Sequence, residues 1–215
     1  MDSSEGLRER KKQKTRGLIS ETARRLFAER GFEAVSVSEV AKEAEVSETT
    51  VFNYFPTKED LVYEGMERFE EGMLQAVRER PIGESVVRAF GRFVLRIRGA
   101  LAAEDEQTAG SLAKISRMIA SSPALLAREK EILSRYGESL GALLAKELNA
   151  EKGDIRPAVV AQTLIGLHAS LIAFVRSRLL EQAPDLHRIA REVRAQGGKA
   201  LTLLEEGLGG YALKR

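Results

Sequence analysis

The residues best suited to chemistry lie close together, between Ser36 and Lys58. Thr49, Thr50, Asn53 and Tyr54 sit within one short stretch, and none is ionised at neutral pH. Small neutral hydrogen-bonding side chains of this kind suit the base edges of a DNA major groove, and threonine adds a methyl group that can touch thymine. Tyr54 can reach a phosphate or stack on a sugar, and Lys58 brings positive charge to the backbone. Ser36 and Ser47 carry hydroxyls at helix starts, where capping a backbone N–H and contacting a phosphate are alternative uses. Glu48 either caps or accepts from a cytosine amine.

Helices must position these groups. Ser36-Val37-Ser38-Glu39 reads as a capping box opening a short helix with a stripe of Val37, Val40, Ala41 and Ala44. Ser47 caps the next helix, which turns Val51 and Phe55 inward and ends before Pro56. The two are joined at Ala44-Glu45-Val46-Ser47, giving a helix-turn-helix. A helix over residues 11–30 precedes them, with Ile19, Ala23, Leu26 and Phe27 on one face and Gly31 as its stop. A fourth is expected from Thr57 to about Arg80, with Lys58 at its start. Beyond Pro81 the helices lengthen, over 84–103, 107–120, 123–148, 157–180 and 185–206. Ser122-Pro123 marks one start, as an N-cap followed by proline at the first helical position. Gly197-Gly198 either permits a close crossing or interrupts the last helix.

No alternating strand pattern appears, so the fold class is all-α. A three-helix DNA-binding domain comes first, and a larger helical domain follows. The expected partition is a basic flexible arm over 1–10, the helix-turn-helix domain over 11–57, a connecting helix over 58–80 and the second domain over 81–215. Charge is uneven beneath a net +2: Leu7 to Arg30 carries nine Lys/Arg against three Glu, and Gly31 to Asp60 carries two Lys against seven acids. The first stretch suits a polyanion, although a solvated tail has the same composition. Arg8, Arg10, Lys11, Lys12, Lys14 and Arg16 suit phosphates or the minor groove, and Thr15 and Arg16 join the candidate contacts.

Thr15 to Leu61 resembles the DNA-binding domain of the TetR family of bacterial regulators. The resemblance rests on Phe27-Ala28-Glu29-Arg30-Gly31-Phe32, Ser36, Val40-Ala41-Lys42-Glu43-Ala44-Glu45-Val46-Ser47 and Phe52-Asn53-Tyr54-Phe55-Pro56-Thr57-Lys58-Glu59-Asp60-Leu61. Two positions depart from the family pattern. Glu45 stands where glycine is usual, at about 1 kcal/mol if the turn is left-handed. Phe52 stands where tyrosine is common. Partial packing of Phe52 removes a phosphate-contacting hydroxyl and shifts weight to Tyr54.

The absence of cysteine excludes disulfides, thiolate metal sites and a cysteine nucleophile. Residues 81–215 hold no recognisable catalytic set, and His168 and His187 lack metal-ligand spacing. No enzymatic activity, cofactor or metal is expected. The resemblance implies an inducer pocket between helices and a dimer interface on the last two. Phe69, Met73, Phe90, Phe93, Met118, Tyr136 and His168 are the pocket candidates, large or adaptable side chains that equally suit an ordinary core. Few charged liners point to an apolar or aromatic ligand. Pro157 to Val175 lacks charge and approaches the length of a membrane span, but Gln162, Thr163, His168 and Ser170 interrupt it. A core-plus-dimer helix reads the same way and is preferred, with no membrane association and a cytoplasmic location.

The expected protein is thus a homodimer on a near-palindromic double-stranded operator, a repressor released by a small molecule. A constitutive DNA-binding protein without a ligand is the alternative. A helical enzyme or carrier with a vestigial DNA-binding motif is a more distant one.

Overall fold

The structure, a computed structural model, describes residues 3–96, 106–208 and 210–214, with backbone alone for 3–9 and 106–107. Nine α-helices and no strand occur among the described residues: α1 (Ser3–Arg30), α2 (Val37–Glu43), α3 (Glu48–Tyr54), α4 (Met66–Arg78), α5 (Val86–Val94), α6 (Glu106–Ser121), α7 (Pro123–Glu147), α8 (Arg156–Leu179) and α9 (Leu186–Leu208). They form two compact units. One comprises residues 1–64 and 117–128, the other 65–116 and 129–215.

In the first unit, Ile19, Ala23, Leu26 and Phe27 are buried on one face of α1 and pack with Phe32, Val35, Val40, Val51, Phe55 and Leu61. Phe27 and Phe32 meet edge to face at 5.1 Å, a preferred aromatic geometry. The end of α6 and the start of α7 complete this unit. Leu125 is fully buried, its carbonyl accepts from Tyr63 Oη at 2.8 Å, and Ser122 Oγ donates to Glu33 at 3.0 Å. Arg128 Nε donates to Asp60 Oδ1 at 2.8 Å.

Three elements differ from the sequence expectation. Helix α1 begins at Ser3, so residues 3–10 are helical where a flexible arm was expected; Met1 and Asp2 lie outside the described residues. The stretch ahead of Lys11 holds two Glu, two Arg and one Leu, all good helix formers, and no proline. The helix expected from Thr57 is instead a short 3₁₀ turn, Glu59–Leu61. Asp60 closes that turn by accepting from the Thr57 N–H at 3.0 Å. Gly65 then adopts φ +92°, which a continuous helix does not permit, and α4 starts only at Met66. The helix expected over 84–103 ends at Val94, and residues 97–103 of that expectation lie outside the described residues.

In the second unit, α5 packs on α4 and α9, and α8 on α9. Helix α9 runs uninterrupted through Gly197-Gly198. A Cβ on Gly197 would stand 2.5 Å from Leu95 Cδ2, so this glycine serves a close crossing. Val160, Leu164, Ile165, Leu167, Leu171 and Leu179 are buried along α8. That helix is long and apolar enough to cross a membrane by length and composition, and 28% of its apolar stretch is buried within this chain. Its other side leaves Val159 exposed, as are Ile155 just before it and Leu203 on α9.

Arg80, fully buried, pins the end of this unit. Its guanidinium forms an ion pair with Glu147 and donates to the carbonyls of Val77 at 2.6 Å, Glu84 at 3.2 Å and Ala212 at 2.8 Å. The Gly83 N–H donates to the Lys214 carbonyl at 2.8 Å, so the C-terminal segment lies along the α4–α5 connection. Every donor direction of the buried cation is thereby used, as burial of a charge requires.

Candidate nucleic-acid interface

The turn between α2 and α3 is built from two backbone bonds. Glu45 N–H donates to the Lys42 carbonyl at 3.2 Å, and Val46 N–H to the Ala41 carbonyl at 2.9 Å. This is the Schellman pattern, which places the residue after the C-cap in the left-handed region. Glu45 occupies that position at φ +54°. The usual occupant is glycine because a Cβ crowds the carbonyl there. Glu45 is exposed.

Both helices are capped as their sequences indicate. The Ser36 hydroxyl accepts from the Glu39 N–H at 3.2 Å, and Glu39 accepts from the Ser36 N–H at 2.8 Å. These bonds, chiefly the one from the Ser36 backbone and then one from Arg30, hold the Glu39 carboxyl down to about 2. The Ser47 hydroxyl accepts from the Thr50 N–H at 3.0 Å and lies 2.8 Å from the Thr50 hydroxyl. Both serines are therefore occupied as caps while still exposed to solvent.

On α3, Val51 is buried and so is Phe55 at its C-cap. The outward face comprises Glu48, Thr49, Phe52 and Asn53, all exposed. Thr50 and Tyr54 are half-buried on its flanks. The Tyr54 carbonyl accepts from Arg16 Nη1 at 3.3 Å, and the Arg16 guanidinium lies 4.9 Å from the Phe55 ring centroid. Phe52, expected to pack partly, is 46% exposed. Its outward position is the feature that sequence reasoning missed. Thr15 and Arg16 are half-buried on α1, and Arg10, Lys11, Lys12 and Lys14 are exposed there. Lys58 is half-buried. It does not head a long helix, but its ammonium sits 4.3 Å from the Phe32 ring centroid and 5.8 Å from that of Phe27. This cation–π placement steers the charge without neutralising it. Two cationic side chains nearby are paired with acids instead: Arg25 with Glu43 at 2.6 Å and Arg30 with Glu39 at 2.6 Å.

In the second unit, three pocket candidates converge on a fourth, Phe69. Its ring stacks on His168 at 4.5 Å and 13° and on Tyr136 at 5.5 Å and 26°, and it meets Phe93 at 5.2 Å and 60°. Tyr136 Oη donates to the Met66 carbonyl at 2.6 Å. His168 Nδ1 is buried with no hydrogen-bond partner among the described residues. Burial pushes the His168 imidazole down to about 4, so it is neutral at physiological pH. Met73 and Phe90 are fully buried core residues, and Met118 falls in the segment of α6 that belongs to the first unit. One cavity of about 260 Å³, between α4 and α5, is lined by Gly72, Ala76, Ala89, Arg92, Phe93 and Arg96. Another, of about 580 Å³ between α5 and α9, has Val87, Arg88, Leu201 and Glu205 in its walls. Phe93 is the pocket candidate that reaches either of these.

Two capped helices at a tight turn, with a buried inner edge and a polar outer one, define a helix-turn-helix DNA-binding protein. Residues 19–64 match the family described as "Bacterial regulatory proteins, tetR family". The chain is 32% identical over 162 residues to the HTH-type transcriptional regulator TcmR of Streptomyces glaucescens, a match covering 72% of this chain and 70% of that protein. The chain belongs to the TetR family of bacterial transcriptional regulators. Its fold is also that of NalD, a repressor of a multidrug efflux pump in Pseudomonas aeruginosa (TM-score 0.53, 18% identity, 87% of this chain and 97% of that one). Bacillus subtilis FadR, solved with stearoyl-CoA, is similar in fold as well (TM-score 0.51, 23% identity, 89% and 98%).

Proposed function

We propose that this regulator is a homodimeric repressor that reads a near-palindromic operator and is released from it by a small molecule. The observation that carries the DNA-reading half is the outward face of α3, held against its neighbours by Val51 and Phe55. Thr49 and Asn53 contact base edges. Thr15, Arg16, Ser36, Ser47, Thr50, Tyr54 and Lys58 contact phosphates or set the helix in register. In this reading, residues 11–57 form the DNA-binding domain, 58–80 the connection and 81–215 the sensing and dimerising domain, at work in the cytoplasm. A gel-shift titration tests it: Asn53→Ala with Tyr54→Ala abolishes specific binding and spares weak non-specific binding. Unchanged specific affinity would refute the assignment.

The sensing half draws support from the aromatic cluster at Phe69 and from the unpartnered Nδ1 of His168. A buried polar atom without a partner is costly, and a ligand group that bonds to it relieves that cost. The ligand is apolar or aromatic with one polar group. Phe69, Met73, Phe90, Phe93, Tyr136 and His168 remain the proposed contacts. Dimerisation through α8 and α9 covers the apolar Val159 and Leu203. Ligand binding then alters the spacing of the two recognition helices, and only one spacing matches the groove repeat. Thermal melting with a panel of phenols and polycyclic aromatics checks this. The reading expects a hit that also lowers operator affinity, and stabilisation without any change on DNA would contradict it.

A further inference from the structure

The first unit holds four phenylalanines, at 27, 32, 52 and 55. Three of them are buried, and Phe52 alone stands 46% exposed. It does so on the outward face of α3, between Thr49 and Asn53. A singly exposed apolar residue is ordinary on most of a protein surface. Here it occupies the middle of the face that meets a groove lined with donors and acceptors. A phenyl ring offers these no hydrogen bond, and covering one desolvates it without replacement. The major groove has one apolar feature that a ring edge fits, the C5-methyl group of thymine.

We propose that Phe52 is a specificity-determining residue that reads a thymine methyl group in each half-site. The inference rests on the reading of α3 as the recognition helix. Selection rests on the methyl group: the ring gains contact with it at thymine, and cytosine has none to offer. A tyrosine would carry a hydroxyl able to reach a phosphate. Phenylalanine gives up that sequence-blind contact and keeps the sequence-dependent one.

The test starts from the operator that the wild-type protein selects from random DNA. Each thymine is replaced singly by uracil, which removes the methyl group alone. Wild-type affinity should fall about four-fold at one position per half-site, the effect of one lost methyl contact. Phe52→Ala should bind thymine and uracil equally at that position, and Phe52→Leu should retain part of the difference. Asn53→Ala should bind more weakly yet keep the full ratio. Melting temperatures check that these exposed-site variants fold. Equal binding of uracil and thymine at every position by the wild type, or an undiminished ratio in Phe52→Ala, would overturn the role of Phe52 alone. Absence of any selected site would overturn the recognition-helix reading and this inference with it.

Discussion

Replacing Glu45 by glycine should stabilise the helix-turn-helix. Glu45 holds φ +54° because the Schellman bonds from its own N–H and from that of Val46 demand it. A left-handed L-residue costs about 1–2 kcal/mol. Glycine removes that strain but gives back about 0.5–1 kcal/mol through the greater freedom of its unfolded chain. The net gain is about 1 kcal/mol, or about 2–4 °C for a chain of this size. The side chain is exposed, so no packing is lost. Charge is a competing explanation, because acidic residues dominate this stretch. Glu45→Gln separates the two effects, since it removes the charge and keeps the strain; its stability should lie within about 0.5 kcal/mol of wild type. Urea unfolding followed by circular dichroism measures both variants, with a shifted midpoint at constant slope as the signature. Equal stabilisation by glutamine and glycine would assign the effect to charge, and a destabilising glycine would refute the strain argument.

Three more outcomes follow from the contacts. Glu39 is held at about 2 by the bond from the Ser36 backbone and by Arg30, below the ordinary 4.5. Its contribution is present above about pH 4.5 and is lost as pH falls toward 2, so Glu39→Gln should flatten the melting temperature over that window. His168 is also shifted downward, because burial favours its neutral form. Its contribution is present above the ordinary 6.5 and is lost as pH falls toward 4; the imidazole should stay neutral by NMR at pH 6, and His168→Phe should remove that slope. Arg80→Met leaves Glu147 without its cation and the Ala212 carbonyl without its donor. A loss of about 3 kcal/mol is expected, with faster amide exchange at Gly83 and Lys214, whereas unchanged exchange there would show that Arg80 does not anchor the C-terminal segment.

Local signals in the sequence carried much of this architecture. Capping serines, Gly31, Pro123 and the apolar stripes of α1, α2 and α3 act through neighbours a few residues away, and such signals are visible in one dimension. Helix α4 shows the limit. The Thr57–Asp60 pair resembles a helix start, and it closes a single turn before Gly65 reverses the backbone. Joining of residues 117–128 to the first unit rests on Tyr63 with Leu125 and Asp60 with Arg128, and such long-range pairs have no periodic trace. The candidate site has the same division. Phe52 and Tyr54 flank the buried Val51–Phe55 edge at nearly equal helical angles, so period alone does not rank them. Arg16, arriving from α1 to bond the Tyr54 carbonyl, leaves Phe52 the more exposed of the two.

The central claim is that the outward face of α3 reads a specific DNA sequence. Selection of bound DNA from a random pool at physiological salt tests it most directly, because salt suppresses contacts that depend on charge alone. A near-palindromic site with half-sites one helical turn or a multiple apart is expected, lost when Asn53 and Tyr54 are both alanine. A pool that stays unenriched, or one enriched equally by that double variant, would contradict it.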